Sequence, residues 1–343
     1  MSSSQKPKLA DQLSSAIRLR GYSYRTEQAY VQWYARFVRF HKMRHPADMG
    51  EAEVEAFLSH LATGLQLSAS TQNQALAALL FLYAAVLKKP LGDVNALRAK
   101  RSHYVQPYLS TDEIRCILDN LSGVSYLAAG ILYGGGLRLM ECLRLRLKDI
   151  DLDNLTLTAH DTKSNRDRVT FLPSDETFLS RLRAHLASLR RRYEANPNLS
   201  VSMPPALARK YRSAATSWEW FYLFPARGPS VDPRTRKAAL HHMDESNIQR
   251  AIAAAVKRAG IRKRATAHTL RAAFAHRMAE SGASTTDIQS LMGHADPKTT
   301  AHYLEGMPPA HTRLRGPLAG KSTTTVPTAS PKTRAPRPPA AIT

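Results

Sequence analysis

Apolar residues in this chain recur almost everywhere at a helical period, and strand-like alternation is confined to one short stretch, so the fold must be mainly α. After Ser23, which predicts an N-cap, Tyr30, Tyr34, Phe37 and Val38 share one helical face, and His45–Pro46 closes that segment. Val54, Phe57, Leu58 and Leu61 mark a further helix, and Leu76, Leu79, Leu80 and Tyr83 another within 70–86. A capping box, Ser110 to Glu113, opens a new run carrying Ile114, Ile117, Leu118 and Leu121. Ile150, Leu152, Leu155 and Leu157 alternate like one strand. Val169 and Phe171 predict its returning partner, with the turn at Ser164–Asn165. Helices are expected over 176–193, 205–212, 244–259, 267–281, 285–292 and 297–304.

These periods divide the 343 residues into two domains. A small helical domain spans 8–90. A basic stretch without period, 91–109, reads as a linker. A mostly helical domain with a small antiparallel sheet spans 110–315. The tail, 316–343, is rich in Pro, Thr, Ala and Gly, carries Lys321, Lys332, Arg334 and Arg337, and holds no acid. Such a composition cannot bury a core and predicts disorder.

Charge narrows the partners. Lys and Arg number 49 against 27 Asp and Glu, a formal net charge of +22. That surplus draws in polyanions, nucleic acid first, because each neutralised phosphate releases counterions. A basic ribosomal or membrane-surface protein is the plainer alternative. Cys116 and Cys142 both fall inside apolar helical patterns at no metal-type spacing, and are expected to be core thiols in a reducing compartment. The start, MSSSQKPKLADQL, has no apolar signal core, and no window is expected to reach the length of a membrane span. A cytoplasmic protein is expected.

Four segments carry groups that phosphoryl transfer needs: cations for the charged transition state, a nucleophile, and an acid for the leaving oxygen. The first, GGGLRLMECLRLRLKDID (134–151), sets Arg138 after a Gly run. An Arg fork suits two phosphate oxygens, whereas Arg144, Arg146 and Lys148 read as solvated or backbone-contacting. In TKSNRDR (162–168), Lys163 stands at the turn, where a surface lysine is the ordinary expectation. HTLRAAFAHRMAESG (268–282) puts His268 and Arg271 on one helical face, as an ordinary amphipathic helix also could. LMGHADPKTTAHYLEG (291–306) ends a helix at Gly293, releases His294, and restarts at Asp296–Pro297 a short helix bearing Tyr303. A tyrosine hydroxyl is a poor nucleophile unless its charge is stabilised. Each segment alone has a structural reading.

Together and in this order, the set resembles the tyrosine recombinase (phage integrase) family over residues 8–318. The resemblance implies that Arg138, Lys163, His268, Arg271, His294 and Tyr303 are the catalytic residues. It implies a two-domain clamp on DNA, a covalent 3′-phosphotyrosine intermediate formed by Tyr303, no cofactor, no metal ion, a homotetramer on synapsed DNA, and a place at the bacterial nucleoid. YSYRTEQAYVQWYARFVRFH, STQNQALAALLFLY and the stretch 203–246 look most like integron integrases, which insert and excise gene cassettes at folded single-stranded and duplex sites. In those enzymes an added helix reads protruding bases. Its counterpart about 203–222, with Arg209, Lys210, Arg212, Trp218, Trp220, and then His241 and His242, supplies DNA-binding candidates. For the tryptophans, an anchoring role in the core is the competing reading. Ala272–Ala273 replaces the family's usual His-Ser, Ser164–Asn165 its Gly-rich turn, and Leu304–Glu305 its Thr-His. These departures bear on full activity, on Lys163 and on subunit contacts. Two alternatives stand beside this reading: a relative acting on duplex sites, and an inactive DNA-binding protein of the same fold.

Overall fold

The computed structural model describes residues 8–92, 94, 106–160, 167–211, 213–233, 236–305 and 307. Lys163, Arg212, the Ser164–Asn165 turn, much of the 91–109 stretch and the 316–343 tail lie outside them. Two compact units form, residues 1–104 and 105–343.

Among the described residues the first unit has four α-helices: α1 (Leu9–Leu19), α2 (Tyr24–Phe40), α3 (Glu51–Ser59) and α4 (Ala69–Phe81). The last two run on as single wider turns, His60–Gly64 and Leu82–Leu87. Ser23 caps α2 and Ser68 caps α4, each accepting from the backbone N–H three residues on. Their apolar faces meet in one core of Leu13, Ile17, Trp33, Phe37, Val54, Phe57, Leu79 and Tyr83. The segment Ala69–Leu87 is, against expectation, long and apolar enough to span a membrane by composition. It is a core helix here: Ala75, Ala78, Leu79, Leu82 and Tyr83 are buried within the unit.

The second unit begins with α5 (Thr111–Asp119), α6 (Gly123–Gly134) and α7 (Leu139–Arg144). The sheet follows as β1 (Ile150–Asp151), β2 (Thr156–Ala159) and β3 (Arg168–Phe171), antiparallel in the order β1-β2-β3. The expected single strand over 150–157 is therefore two. Asp151 Oδ1 accepts from the N–H groups of Asp153 and Asn154, and Leu155 takes a φ of 51°, which folds the chain back into β2. β3 is inverted relative to a simple amphipathic strand. Thr170 is buried and Arg168 faces inward, while Val169 and Phe171 are exposed. Next come α8 (Glu176–Glu194), α9 (Pro205–Lys210), a two-stranded pair of β4 (Ser230–Val231) and β5 (Ala238–Ala239), and α10 (Glu245–Arg258). The unit closes with α11 (Ala267–Glu280), α12 (Thr285–Met292) and α13 (Pro297–Leu304).

The main core of this unit surrounds α6, whose Leu127, Ala128, Ala129, Ile131 and Leu132 are buried. A smaller cluster of Ala272, Phe274, Ala275, Ile288, Met292 and Tyr303 joins α11, α12 and α13. Cys142 is buried as expected, but Cys116 is exposed. Ile114 and Ile117 take the inward face of α5 and turn Cys116 to solvent.

Candidate active site

The glycine run at the end of α6 is shaped around an arginine from elsewhere. Gly136 takes a φ of +64°, and a Cβ there would stand 2.4 Å from the Phe274 ring, so no other residue fits unstrained. Its carbonyl accepts from Arg271 Nη1 at 2.6 Å. Two residues on, Arg138 is the N-cap of α7. Glu141 bonds back to it: Oε2 accepts from the Arg138 N–H (2.8 Å) and Oε1 from Arg138 Nη1 (2.6 Å).

α11 is opened by Thr266, whose side chain accepts from the Thr269 N–H. One helical turn then sets His268 and Arg271 on a common face. α12 ends on Gly293 in the left-handed region, φ +64°, and this reversal brings His294 back under α11. Asp296 caps α13 through the Lys298 N–H, with Pro297 at its first position, and Tyr303 lies in its last turn.

These turns bring five of the expected residues together. Tyr303 is 5% exposed, and its hydroxyl lies 3.2 Å from His268 Nδ1 and 3.3 Å from Nε2. Its ring stacks on that of His294, with centroids 5.2 Å apart and planes at 19°. His294 Nε2 accepts from Arg271 Nη2 (2.9 Å), so the ring's proton sits on Nδ1, which donates to Thr300 Oγ1 (2.8 Å). Arg271, 1% exposed, also donates from Nη2 to the Met292 carbonyl (2.6 Å), and its Nη1 lies 3.6 Å from Glu141 Oε2. The Arg138 side chain keeps 42% of its surface in solvent and also donates to the Gly293 carbonyl (3.1 Å).

Electrostatics follow from this crowding of cations. Burial, then the charges of Arg271, Arg138 and Arg168, push His294 down to about 3, so its imidazole is neutral at physiological pH. His268 retains an exposed edge, yet desolvation and the nearby charges of Arg271, His302 and Arg138 hold it below its ordinary value as well. A neutral imidazole beside a phenol hydroxyl can accept its proton. Burial lowers Arg271 to about 10, which leaves it protonated. Burial works against the Glu141 carboxylate, but hydrogen bonds and charge from Arg168, then the bonds from Arg138, hold it below its usual range. Ala272 and Ala273 are buried beside this cluster.

Two participants escaped sequence reasoning. Arg168 on β3 donates to both Glu141 oxygens and to the Leu291 carbonyl. Its signal was the strand itself, in which polar Arg168 and Thr170 alternate with outward Val169 and Phe171. His276 on α11 donates from Nε2 to the Tyr303 carbonyl (2.8 Å), holding the backbone of α13. A histidine two turns beyond His268 on the same helix was the available signal. Among the described residues no group of three or more His, Cys, Asp or Glu side chains is arranged to hold a metal ion.

The added segment divides by environment. Arg209 and Lys210, at the end of α9, are exposed, as is Tyr211. Trp218 and Trp220 are half-buried against the core. Trp218 stacks on Phe221 and lies beside Tyr193, with the Arg190 guanidinium over it. Trp220 has Lys148 and Arg146 over its ring. His241 and His242 are half-buried, and His242 Nδ1 donates to the Met243 carbonyl. Arg146, read from sequence as solvated or backbone-contacting, is deeply buried. It donates to the carbonyls of Trp220 and Ser202 and to the Tyr222 hydroxyl.

Known proteins share this framework. The description "phage integrase, N-terminal SAM-like domain" matches residues 9–93, and "phage integrase family" matches 107–307. An integrase/recombinase of Escherichia coli is 43% identical over 315 residues, covering 91% of this chain and 93% of that protein. Tyrosine recombinase XerC of Lactobacillus leichmannii is 26% identical over 268 residues, 73% of this chain and 76% of that one. Among solved structures, the XerH site-specific recombinase bound to palindromic difH substrate, in its post-cleavage complex, aligns with a TM-score of 0.58 at 18% identity, covering 86% of this chain and 81% of that chain. A lambda integrase (75–356) dimer bound to a COC′ core site aligns at 0.57 and 16% identity, covering 91% and 98%. The chain belongs to the phage integrase family of tyrosine recombinases, the site-specific enzymes that cut and rejoin DNA.

Proposed function

We propose that Tyr303 is the nucleophile of this recombinase and that Arg138, His268, Arg271 and His294 are its catalytic partners, with Lys163 as the acid. One observation carries the reading. The Tyr303 hydroxyl meets a neutral His268 while its ring lies on His294, which is bonded to Arg271. In the reaction, Tyr303 Oη attacks the phosphorus and its proton passes to His268. A bond from Oη to phosphorus forms as the bond to the 5′ oxygen breaks. Lys163 protonates that leaving oxygen. The phosphotyrosine link keeps the bond energy, so a 5′ hydroxyl of another strand reverses the step without ATP. Arg138, the solvent-facing cation, meets the phosphate oxygens, and buried Arg271 stabilises the developing charge from beneath.

The finer reading is an integron integrase that inserts and excises gene cassettes, acting as a homotetramer whose two domains clamp folded single-stranded and duplex sites. The added segment with exposed Arg209, Lys210 and Tyr211 supports it, because cations beside an aromatic face suit an unpaired base. The engaged rings of Trp218 and Trp220 favour anchoring roles for both. The test of the chemistry is Tyr303→Phe: DNA binding is kept and the covalent protein–DNA adduct disappears from a denaturing gel. An adduct that persists refutes it. For the substrate, binding and cleavage on matched folded single strands and duplexes decide, and a consistent duplex preference refutes the integron reading.

A further inference from the structure

Arg168 is a buried cation that the chemistry above leaves unused. Its side chain is 9% exposed, against 42% for Arg138. Nη2 and Nη1 take the two oxygens of Glu141 at 2.5 and 3.3 Å, and Nε donates to the Leu291 carbonyl at 2.9 Å. The guanidinium also lies flat against the following turn: a Cβ on Gly293 would fall 2.7 Å from Arg168 Nη1.

We propose that Arg168 is a positioning residue for DNA cleavage, fixing the Glu141 carboxylate and the turn that carries His294 in the arrangement that presents Arg138 to the phosphate. The inference rests on the reading that Arg138 and Tyr303 belong to the active site. Its geometric basis is that Arg138 and Arg168 both hold Glu141 and the end of α12 with the turn after it. Arg138 bonds Glu141 Oε1 and the Gly293 carbonyl, while Arg168 bonds both Glu141 oxygens and the Leu291 carbonyl. Glu141 and Leu291 are remote in sequence from Arg168, by 27 and 123 residues. The one side chain thus ties β3, α7 and the end of α12. A planar fork serves three acceptors at fixed angles, which a lysine ammonium cannot. Three guanidiniums, of Arg138, Arg168 and Arg271, face one carboxylate, so the cluster keeps a surplus of positive charge for a phosphate. Arg168 is also the first of the groups that keep Glu141 ionised against burial. Without it, burial raises the carboxylate's pKa, and protonated Glu141 releases one of its bonds to Arg138.

The test uses the full chain and a nicked suicide duplex, with Arg168→Gln, Arg168→Lys and the double variant Arg168→Gln/Glu141→Gln. DNA affinity is expected within threefold of the parent for all three. Cleavage by Arg168→Gln falls about 100-fold, the cost of a misplacement of about 1 Å. Its rate relative to the parent falls further as pH is lowered from about 7 toward 5, because Glu141, without the bonds and charge of Arg168, takes up its proton at a higher pH than in the parent. In the double variant that ratio is flat with pH. Arg168→Lys keeps the charge and still loses at least tenfold, which carries the test if the Gln variant fails to fold. Cleavage by Arg168→Lys or Arg168→Gln within threefold of the parent overturns the proposal, and so does a ratio that is constant with pH in Arg168→Gln. Arg138→Ala is the control: if it cleaves normally, the reading of the site has failed, whereas a crippled Arg138→Ala beside a normal Arg168→Gln sinks this inference alone.

Discussion

Arg146 and Arg271 are each almost wholly buried, 7% and 1% exposed, and each donates to two backbone carbonyls. Around Arg146 the further partners are the Tyr222 hydroxyl, the Tyr222 ring, 3.8 Å from the guanidinium carbon, and the Trp220 ring at 5.9 Å. No fully buried nitrogen of it lacks a partner, and it knits the added segment to the turn that follows α7. Arg271 instead leaves Nε without a partner and gives its last bond to a neutral histidine beneath Tyr303. Among the described residues the buried side-chain nitrogens without partners are Arg271 Nε, His276 Nδ1 and Arg277 Nε, and all three lie on α11. Leaving such groups unpaired costs free energy that a purely structural element would not carry. A buried cation with no fully buried nitrogen unpaired marks architecture, and one that keeps a buried nitrogen unpaired beside a half-exposed arginine marks a site.

The sharpest way to break this comparison is to remove both cations. Arg271→Ala should lower DNA cleavage about 10²–10³-fold in a suicide-substrate assay. Arg146→Ala should cost about 3 kcal/mol of stability in denaturant unfolding, by stranding buried acceptors, yet leave cleavage per bound molecule within a few-fold. Comparable loss of cleavage from both, at equal stability, would erase the distinction. Arg138→Ala comes next, raising the cleavage barrier by about 3 kcal/mol while moving the melting temperature little, since that side chain is half in solvent. Unchanged cleavage would remove Arg138 from the site.

The added segment sharpens the same contrast at smaller amplitude. Trp218→Ala should cost about 2 kcal/mol of stability with little effect on affinity for a folded single strand. Tyr211→Ala should leave stability alone and weaken that affinity about tenfold, the low end of a base-stacking contribution. The reverse outcome would make Trp218 the reader and Tyr211 a bystander. Smallest is a pH effect. His294 sits near 3 in the folded protein and near its ordinary value unfolded, so the unfolded state binds the extra proton between those limits. Its contribution is complete above about 6.5 and is lost as pH falls toward 3. His294→Gln should therefore flatten the fall in melting temperature between about pH 6.5 and 5, and an unaltered slope would speak against a neutral His294.

Much of this was legible in the chain. Helix ends at Ser110, Gly293 and Asp296–Pro297 are written in local cap chemistry, so α5, α12 and α13 begin or stop where their sequences say. His268, Arg271, His294 and Tyr303 were found because they lie within two short local patterns. What escaped depends on distant partners. Arg146 is buried by Trp220 and Ser202, 74 and 56 residues away, and Arg168 by Glu141 and Leu291. Apolar periodicity counts hydrophobic faces and assigns such cations to solvent. The single strand expected over 150–157 failed for a related reason. Alternation was present, but the side-chain turn at Asp151 broke it in two, and alternation cannot register a two-residue strand.

The most direct measurement is to trap the recombinase on a nicked suicide site, digest the protein, and locate the nucleotide-bearing residue by mass spectrometry. The phosphodiester remnant should be found on Tyr303, in the peptide that follows His294. A remnant on any other tyrosine, or a cleaved strand with no covalent protein attached, would contradict the account.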